Sequence, residues 1–117
     1  MQVKKRIKAF GHAFNGVFTF FRSGVHAQIH LAAVIVVVCT GFWLGLSNME
    51  WIAVLLCFAL VLSMEAVNSA IEFLTDLVTP DYHELAKKTK DVAAAAVLFS
   101  ALFSVIIALI IFIPKLV

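Results

Sequence analysis

The chain has 117 residues, of which 63% are hydrophobic and 14% are charged, and its formal net charge is +2. Soluble domains carry about 25% charged residues, so this composition excludes an ordinary soluble globular protein and predicts a membrane protein. The small net charge gives no indication of nucleic-acid binding, and the length fits one membrane-embedded domain covering residues 1–117.

The first 22 residues combine basic and aromatic side chains at helical spacing. Four basic residues are followed by an aromatic stripe: Lys4, Lys5, Arg6, Lys8, Phe10, Phe14, Phe18 and Phe21. This pattern predicts an amphipathic surface helix in residues 1–22 that lies in the interface of an anionic membrane. Packing of the same helix on its own bundle is compatible with that position. Ser23 and Gly24 predict a bend into the first span.

Three apolar stretches follow, at about 29–47, 51–77 and 92–113, each long enough to cross a hydrocarbon core of ~30 Å. A turn at Ser47–Glu50 is predicted between the first two. Thr79 and Pro80 are predicted to end the second, because proline cannot continue a helix. The fold class is therefore an all-α membrane protein with a surface helix and three transmembrane helices. Such a chain has little interior of its own, so we expect an oligomer.

The basic residues indicate the orientation in the membrane. Eight of the nine Lys and Arg residues lie before residue 23 or between residues 87 and 90, and Lys115 alone lies beyond the opposite face. By the positive-inside rule, the N-terminus and the 78–91 loop are cytoplasmic and residues 47–50 are outside.

Six of the seven acidic residues lie between Glu65 and Asp91. Within that stretch, four polar residues spaced three, four and four apart fall on one helical face: Glu65, Asn68, Glu72 and Asp76. Carboxylates are costly to bury in a membrane, so their clustering indicates binding of a cation. A metal ion that carries a phosphorylated ligand is the natural candidate.

The same residues suit phosphoryl transfer. No Walker loop and no GxGxxG motif is present, so a nucleotide would be held by acids, a metal and lysines. Glu72 and Asp76 could ligate Mg²⁺, Lys90 could steady phosphates, and Glu65, nearly two turns deeper, could act as general base on a lipid hydroxyl. Alternatively, these acids pair with the lysines at positions 87, 88 and 90 at a bundle interface. Spacing alone does not separate the two.

Two histidines at the start of the first span, His26 and His30, are four residues apart, a spacing that zinc ligands on helices use. No third ligand is evident nearby, so we interpret them as packed or interfacial side chains.

The motif EAVNSAIE at residues 65–72 is followed by Asp76, by YHEL at residues 82–85 and by Lys90-Asp91. This pattern resembles the prokaryotic diacylglycerol kinase/undecaprenol kinase family of small membrane-embedded lipid kinases. The resemblance covers nearly the whole chain. It implies transfer of the ATP γ-phosphate to diacylglycerol or undecaprenol, with Mg²⁺, in the bacterial cell membrane. It also implies a homotrimer of three-span protomers that share sites between neighbours.

The resemblance also implies residue roles by position. Glu65 corresponds to the catalytic base and Asn68 to a polar residue that supports it, while Glu72 corresponds to a metal-binding carboxylate. The implied nucleotide contacts are Lys90, Asp91, Asp81, Tyr82, His83, Lys5 and His12. The family's second metal-binding Glu falls at Gly24, and no acidic residue precedes Glu50.

Two hypotheses follow from these positions. The first is an active lipid kinase. The second is an impaired or non-enzymatic relative that binds nucleotide or metal in the membrane, and Gly24 is its best support. A small transporter would also use an intramembrane Glu65, but it would not account for Lys90-Asp91.

Overall fold

The computed structural model describes residues 2–117, which form four helices: α1 (Gln2–Ser23), α2 (Val25–Leu44), α3 (Asn48–Val78) and α4 (Glu84–Leu116). No strand occurs within residues 2–117, so the predicted all-α class is confirmed. Helices α2, α3 and α4 are long and apolar enough to cross a membrane. Each corresponds to one predicted span, and Gly24 alone separates α1 from α2.

The turn between α2 and α3 lies earlier than the sequence predicts. Gly45 ends α2 with a left-handed φ of 73°, which glycine adopts readily, and its N–H donates to the carbonyl of Gly41. Ser47 Oγ accepts from the Glu50 N–H at 3.2 Å, and Glu50 Oε1 accepts from the Ser47 N–H at 2.9 Å. This capping box begins α3 at Asn48, so the predicted turn at Ser47–Glu50 is wrong and the turn occupies residues 45–47.

The segment between α3 and α4 is shorter than the predicted 78–91 loop. Helix α3 ends at Val78, before Thr79 and Pro80, as predicted. Helix α4 already begins at Glu84, because His83 Nδ1 accepts from the Leu85 N–H at 3.1 Å and so caps the first turn. Residues 84–91 are therefore the first two turns of α4. At its other end, α4 continues past Pro114, which lies too close to the terminus to interrupt more than the last turn.

The packed part of the molecule lies between α3 and α4. Leu46, Val54 and Ile111 form its core cluster, which the Trp51 side chain extends. Trp51 also packs closely on Gly41 of α2. A Cβ at Gly41 would lie 2.7 Å from the nearest atom of the Trp51 ring, so glycine permits this helix contact.

Helix α1 projects from the three apolar helices. The molecule measures 51 × 44 × 20 Å, and its second dimension exceeds the width of three helices packed about 8–10 Å apart. Every residue from Gln2 to Thr19 is exposed. Only six hydrophobic residues are buried within residues 2–117, so lipid or other protein must cover most of the apolar surface.

Candidate active site

The carboxylate of Glu65 is buried between helices. Its side chain is 9% exposed, and on α3 it follows a run from Trp51 to Met64 that contains no charged residue. Glu65 Oε1 lies 3.0 Å from His30 Nε2 of α2, whose side chain is 25% exposed. The two helices thus bring together a buried acid and an imidazole that are 35 positions apart in the chain.

Asn68 lies three residues beyond Glu65 and close to one helical turn along the same face. Its Oδ1 is buried and accepts no hydrogen bond from any group within residues 2–117. A buried amide oxygen of this kind is suited to accept a hydrogen bond from a further donor.

The charged end of the site lies where α3 approaches α4. Lys90 Nζ donates to Asp76 Oδ1 at 2.6 Å, and the negative charge of Glu72 also acts on this ammonium. Lys87 forms a second ion pair at 2.7 Å with Asp91, one turn further along α4. The expected alternative, in which acids of α3 pair with lysines of α4, is thus realised for Asp76 and Lys90.

A cavity of about 280 Å³ opens beside these pairs. Its lining includes six of the predicted site residues: Asp76, Asp81, Tyr82, His83, Lys90 and Asp91. The connection at residues 79–83 folds back toward the first turns of α4, and this brings the predicted nucleotide contacts of both segments to one place.

Besides Glu65, Asn68 and Glu72 of α3, three positions near the N-terminus also lie apart from this cavity. Lys5 and His12 are exposed on α1, and within residues 2–117 neither makes a side-chain hydrogen bond or an ion pair to the other site residues. Gly24 stands at the junction of α1 and α2, with extended backbone angles of −134° and 130°.

Comparison with known proteins identifies the family to which the chain belongs. The profile described as prokaryotic diacylglycerol kinase matches residues 11–112. The chain belongs to this family.

Several relatives of the prokaryotic diacylglycerol kinase family align along most of the chain. An undecaprenol kinase of Bacillus subtilis is 41% identical over 115 residues, which are 98% of this chain and 94% of the relative. A diacylglycerol kinase of Escherichia coli is 31% identical over 100 residues, which are 86% of this chain and 82% of the relative. A diacylglycerol kinase of Synechocystis is 36% identical over 100 residues, covering 85% of this chain and 57% of the relative.

The two residues predicted as metal ligands both lie on α3. Glu72 and Asp76 are one turn apart on an exposed face of α3, and both supply the oxygen atoms that Mg²⁺ prefers. Within residues 2–117, no group of three or more His, Cys, Asp or Glu side chains surrounds a possible metal position. Mg²⁺ often uses one or two carboxylates together with substrate phosphates, so this pair fits it, although Lys90 already occupies Asp76 Oδ1.

The contact of His30 with Glu65 was not predicted from the sequence. His30 was expected to be a packed or interfacial side chain, whereas in the structure it contacts Glu65. A signal was available, because His30 and Glu65 are polar residues within two otherwise apolar spans. Polar residues at such positions usually face the bundle interior and pair with one another.

Proposed function

We propose that this chain is a lipid kinase that transfers the γ-phosphate of ATP to the hydroxyl of a membrane lipid. The observation that carries the proposal is the arrangement along α3. A buried carboxylate, Glu65, lies about 16 Å along the helix axis from Asp76, which lines the charged cavity. A hydroxyl can approach the first from the membrane while a nucleotide approaches the second from water.

In this proposal the cavity holds ATP. Lys90 and Asp91 of α4 contact the nucleotide together with Asp81, Tyr82 and His83. Lys5 and His12 lie apart from the cavity within one protomer, and we propose that they contribute from α1 when the site is shared between neighbouring copies. Lys90 has three donors with which to bind phosphate oxygens, and its exposed pair with Asp76 can be exchanged for them.

Glu72 and Asp76 are the residues that would hold Mg²⁺. The ion would supply neutralisation of the charge that develops on the phosphate oxygens. Asp76 keeps a second carboxylate oxygen beside the one that accepts from Lys90. The two acids therefore provide both a metal ligand set and a restraint on Lys90.

Glu65 takes the proton of the lipid hydroxyl in the transfer step. As it does so, the hydroxyl oxygen bonds to the γ-phosphorus and the bond from that phosphorus to the bridging oxygen of ADP breaks. ADP leaves with the electron pair, and the proton remains on Glu65. Asn68, with its buried amide, supports the position of Glu65 or of the hydroxyl.

The lipid in the proposal is diacylglycerol or undecaprenol. The identity of 41% to the Bacillus subtilis undecaprenol kinase makes undecaprenol the first lipid to test. We further propose that the protein is a homotrimer in the bacterial cell membrane, with the cavity facing the cytoplasm. The small number of buried residues within residues 2–117 supports association with further copies.

The test is transfer of label from [γ-³²P]ATP by purified protein in lipid vesicles. Undecaprenol, diacylglycerol and no added lipid are compared with and without Mg²⁺. We expect Mg²⁺-dependent label in a lipid product. Nucleotide binding without labelled lipid would instead support the second candidate, an impaired family member, which Gly24 favours because it leaves Glu72 and Asp76 without a third carboxylate.

Glu65→Gln should lower the transfer rate by about 10²–10⁴-fold, because the amide keeps the shape of the side chain and loses the base. Cross-linking should show an unchanged oligomer. Glu84→Gln is the matched control, since Glu84 is an exposed acid at the start of α4, and it should retain the full rate. Near-normal turnover of Glu65→Gln would remove Glu65 from the mechanism.

A further inference from the structure

The contact between His30 and Glu65 has no part in the transfer step as written above. Nevertheless, it is the sole side-chain hydrogen bond between α2 and α3 within residues 2–117. No Lys or Arg forms an ion pair with Glu65 in that range. The imidazole is thus the polar partner that the folded chain supplies to this buried carboxylate.

The proposed role of Glu65 as base sets the direction of the hydrogen bond. The base form of a carboxyl group is the carboxylate, which has acceptors only, so in that form His30 Nε2–H donates and Glu65 Oε1 accepts. This bond uses one oxygen of the carboxylate and leaves Oε2 free to take a proton. It also selects one orientation of the Glu65 side chain, whose torsion angles otherwise have several staggered minima.

The surroundings of His30 make the bond effective. Its imidazole lines an apolar cavity of about 220 Å³ with residues such as Val34, Val61 and Leu62. A hydrogen bond in such a low-dielectric environment is stronger than in water, and an unpartnered carboxylate there would be costly. The apolar wall therefore favours retention of the contact while a lipid enters.

We propose that His30 is a positioning residue that holds the Glu65 carboxylate with Oε2 toward the lipid hydroxyl. The inference rests on the proposed function, because it requires Glu65 to be the base. In this role His30 contacts Glu65 and neither the phosphate nor the hydroxyl. Its effect is on the orientation of the base, and a displacement of about 1 Å at a reacting group can cost about 10²-fold in rate.

Three variants of the full-length protein in lipid vesicles test this role. His30→Leu removes the donor and should lower kcat about 10- to 100-fold with an unchanged KM for ATP. His30→Gln places an amide N–H near the position of Nε2 and should restore most of the rate. His26→Leu is the control, because His26 lies one turn earlier on α2, is exposed, and makes no side-chain hydrogen bond within residues 2–117.

A role in folding alone gives different results. If His30 acts in folding alone, His30→Leu and the parent protein should have the same rate per folded molecule. The folded fraction of each is taken from thermal unfolding curves recorded in detergent. Equal rates would overturn the inference, and so would a His30→Gln variant as slow as His30→Leu.

Combination with Glu65→Gln separates this inference from the proposed function. In that background His30→Leu should cause no further loss, because residues that act as a unit are not additive. A second loss of the same factor means that His30 acts independently of Glu65 and overturns the inference alone. A parent protein that transfers no phosphate overturns both.

The bond can also be measured without turnover. In ¹⁵N spectra of the histidine side chains, Glu65→Gln should shift the ring nitrogens of His30 and leave those of His26 in place. Unchanged His30 resonances contradict the inference whatever the kinase rate.

Discussion

Position 24 is the residue at which this chain departs from the pattern that its family resemblance implies. Gly24 occupies a backbone conformation in which φ is −134° and ψ is 130°, and any residue adopts this extended conformation. A Cβ added there would have its nearest neighbours at 3.9 Å. Neither backbone strain nor crowding therefore requires glycine, and the junction can accept a longer side chain.

Gly24→Glu should lower the Mg²⁺ concentration that gives the half-maximal kinase rate by about tenfold. Glu72 and Asp76 are the ligands that we propose, and another carboxylate would add a negative oxygen ligand to the shell. Two unit charges 4 Å apart attract by about 4 kcal/mol at an effective dielectric of 20, and a third of this corresponds to about tenfold in affinity. The measurement is a Mg²⁺ titration of the rate.

Gly24→Gln is the matched control, because it adds the same side-chain length without the charge, and its Mg²⁺ midpoint should stay at the parent value. If Gly24→Glu leaves both the midpoint and the maximal rate unchanged, position 24 does not face the metal site. Asp76 would then be a sufficient second ligand.

Single residues of the site were predictable to different degrees. The placement of four polar residues on one helix was predictable, because a helix brings residues three and four apart onto one face, and α3 carries all of them: Glu65, Asn68, Glu72 and Asp76. The partner of Glu65 was not identified, because periodicity describes one helix and gives no information about which residue of another helix faces it. The shared cavity was not predictable either. Asp81 and Lys90 line it because residues 79–83 fold back toward α4, and the sequence gives no sign of that fold.

At the scale of elements, the junction of α3 and α4 carries the charged part of the site. Lys90 and Asp76 link the two helices in an exposed ion pair, with side chains 38% and 60% exposed. Exposed pairs of this kind contribute little to stability because water and salt screen them. Lys90 is therefore a poor candidate for a stabilising residue and a good one for a ligand-binding residue.

Lys90→Met should raise the KM for ATP by at least tenfold and leave the thermal unfolding midpoint unchanged, since the exposed pair stabilises little and the phosphate contact is lost. The control is Lys88→Met, because Lys88 is exposed two residues earlier and forms no ion pair within residues 2–117. An unfolding midpoint that falls in Lys90→Met while KM is constant would assign the lysine to folding.

Element boundaries were predicted less well than element number. All four helices were expected, because each long apolar run and the N-terminal aromatic stripe is long enough to indicate one helix. The ends at Leu44 and Glu84 were missed because local caps decide them. Gly45 stops α2, while Ser47 and His83 each start a helix by accepting a backbone N–H. Such caps depend on one or two hydrogen bonds, and hydropathy does not detect them.

At the scale of the whole molecule, two ion pairs mark the two ends of the apolar bundle. Lys90 and Asp76 meet at one end, and Lys115 Nζ lies 3.0 Å from Glu50 Oε1 at the other. Lys90 and Lys115 are 25 residues apart on α4, which corresponds to about 37 Å of helix. That length exceeds a hydrocarbon core of ~30 Å, so the two pairs fit opposite membrane faces.

This arrangement strengthens the charge argument for orientation. The end with Glu50 carries one basic residue, and that residue is paired with an acid, whereas the opposite end carries three lysines on α4 and the five basic residues of α1. We therefore propose that α1 lies at the cytoplasmic face, with its aromatic stripe in the membrane interface. Phe10, Phe14 and Phe18 are all more than 60% exposed and are available to contact lipid.

Single-cysteine labelling in intact cells tests the orientation and, with it, the access of the cavity to ATP. Leu85→Cys and Met49→Cys are introduced into a protein in which Cys39 and Cys57 are replaced by serine; both positions are exposed, at 66% and 74%, and neither change alters a charge. An impermeant thiol reagent should label Met49→Cys from outside, and Leu85→Cys only after the membrane is opened. These results are expected because basic residues near span ends are retained on the cytoplasmic side.

A permeant reagent that labels both variants is the control for reactivity. Labelling of Leu85→Cys in sealed cells would place the charged cavity on the face without ATP, and the kinase proposal would then fail for the whole molecule, however well its residues suit the reaction.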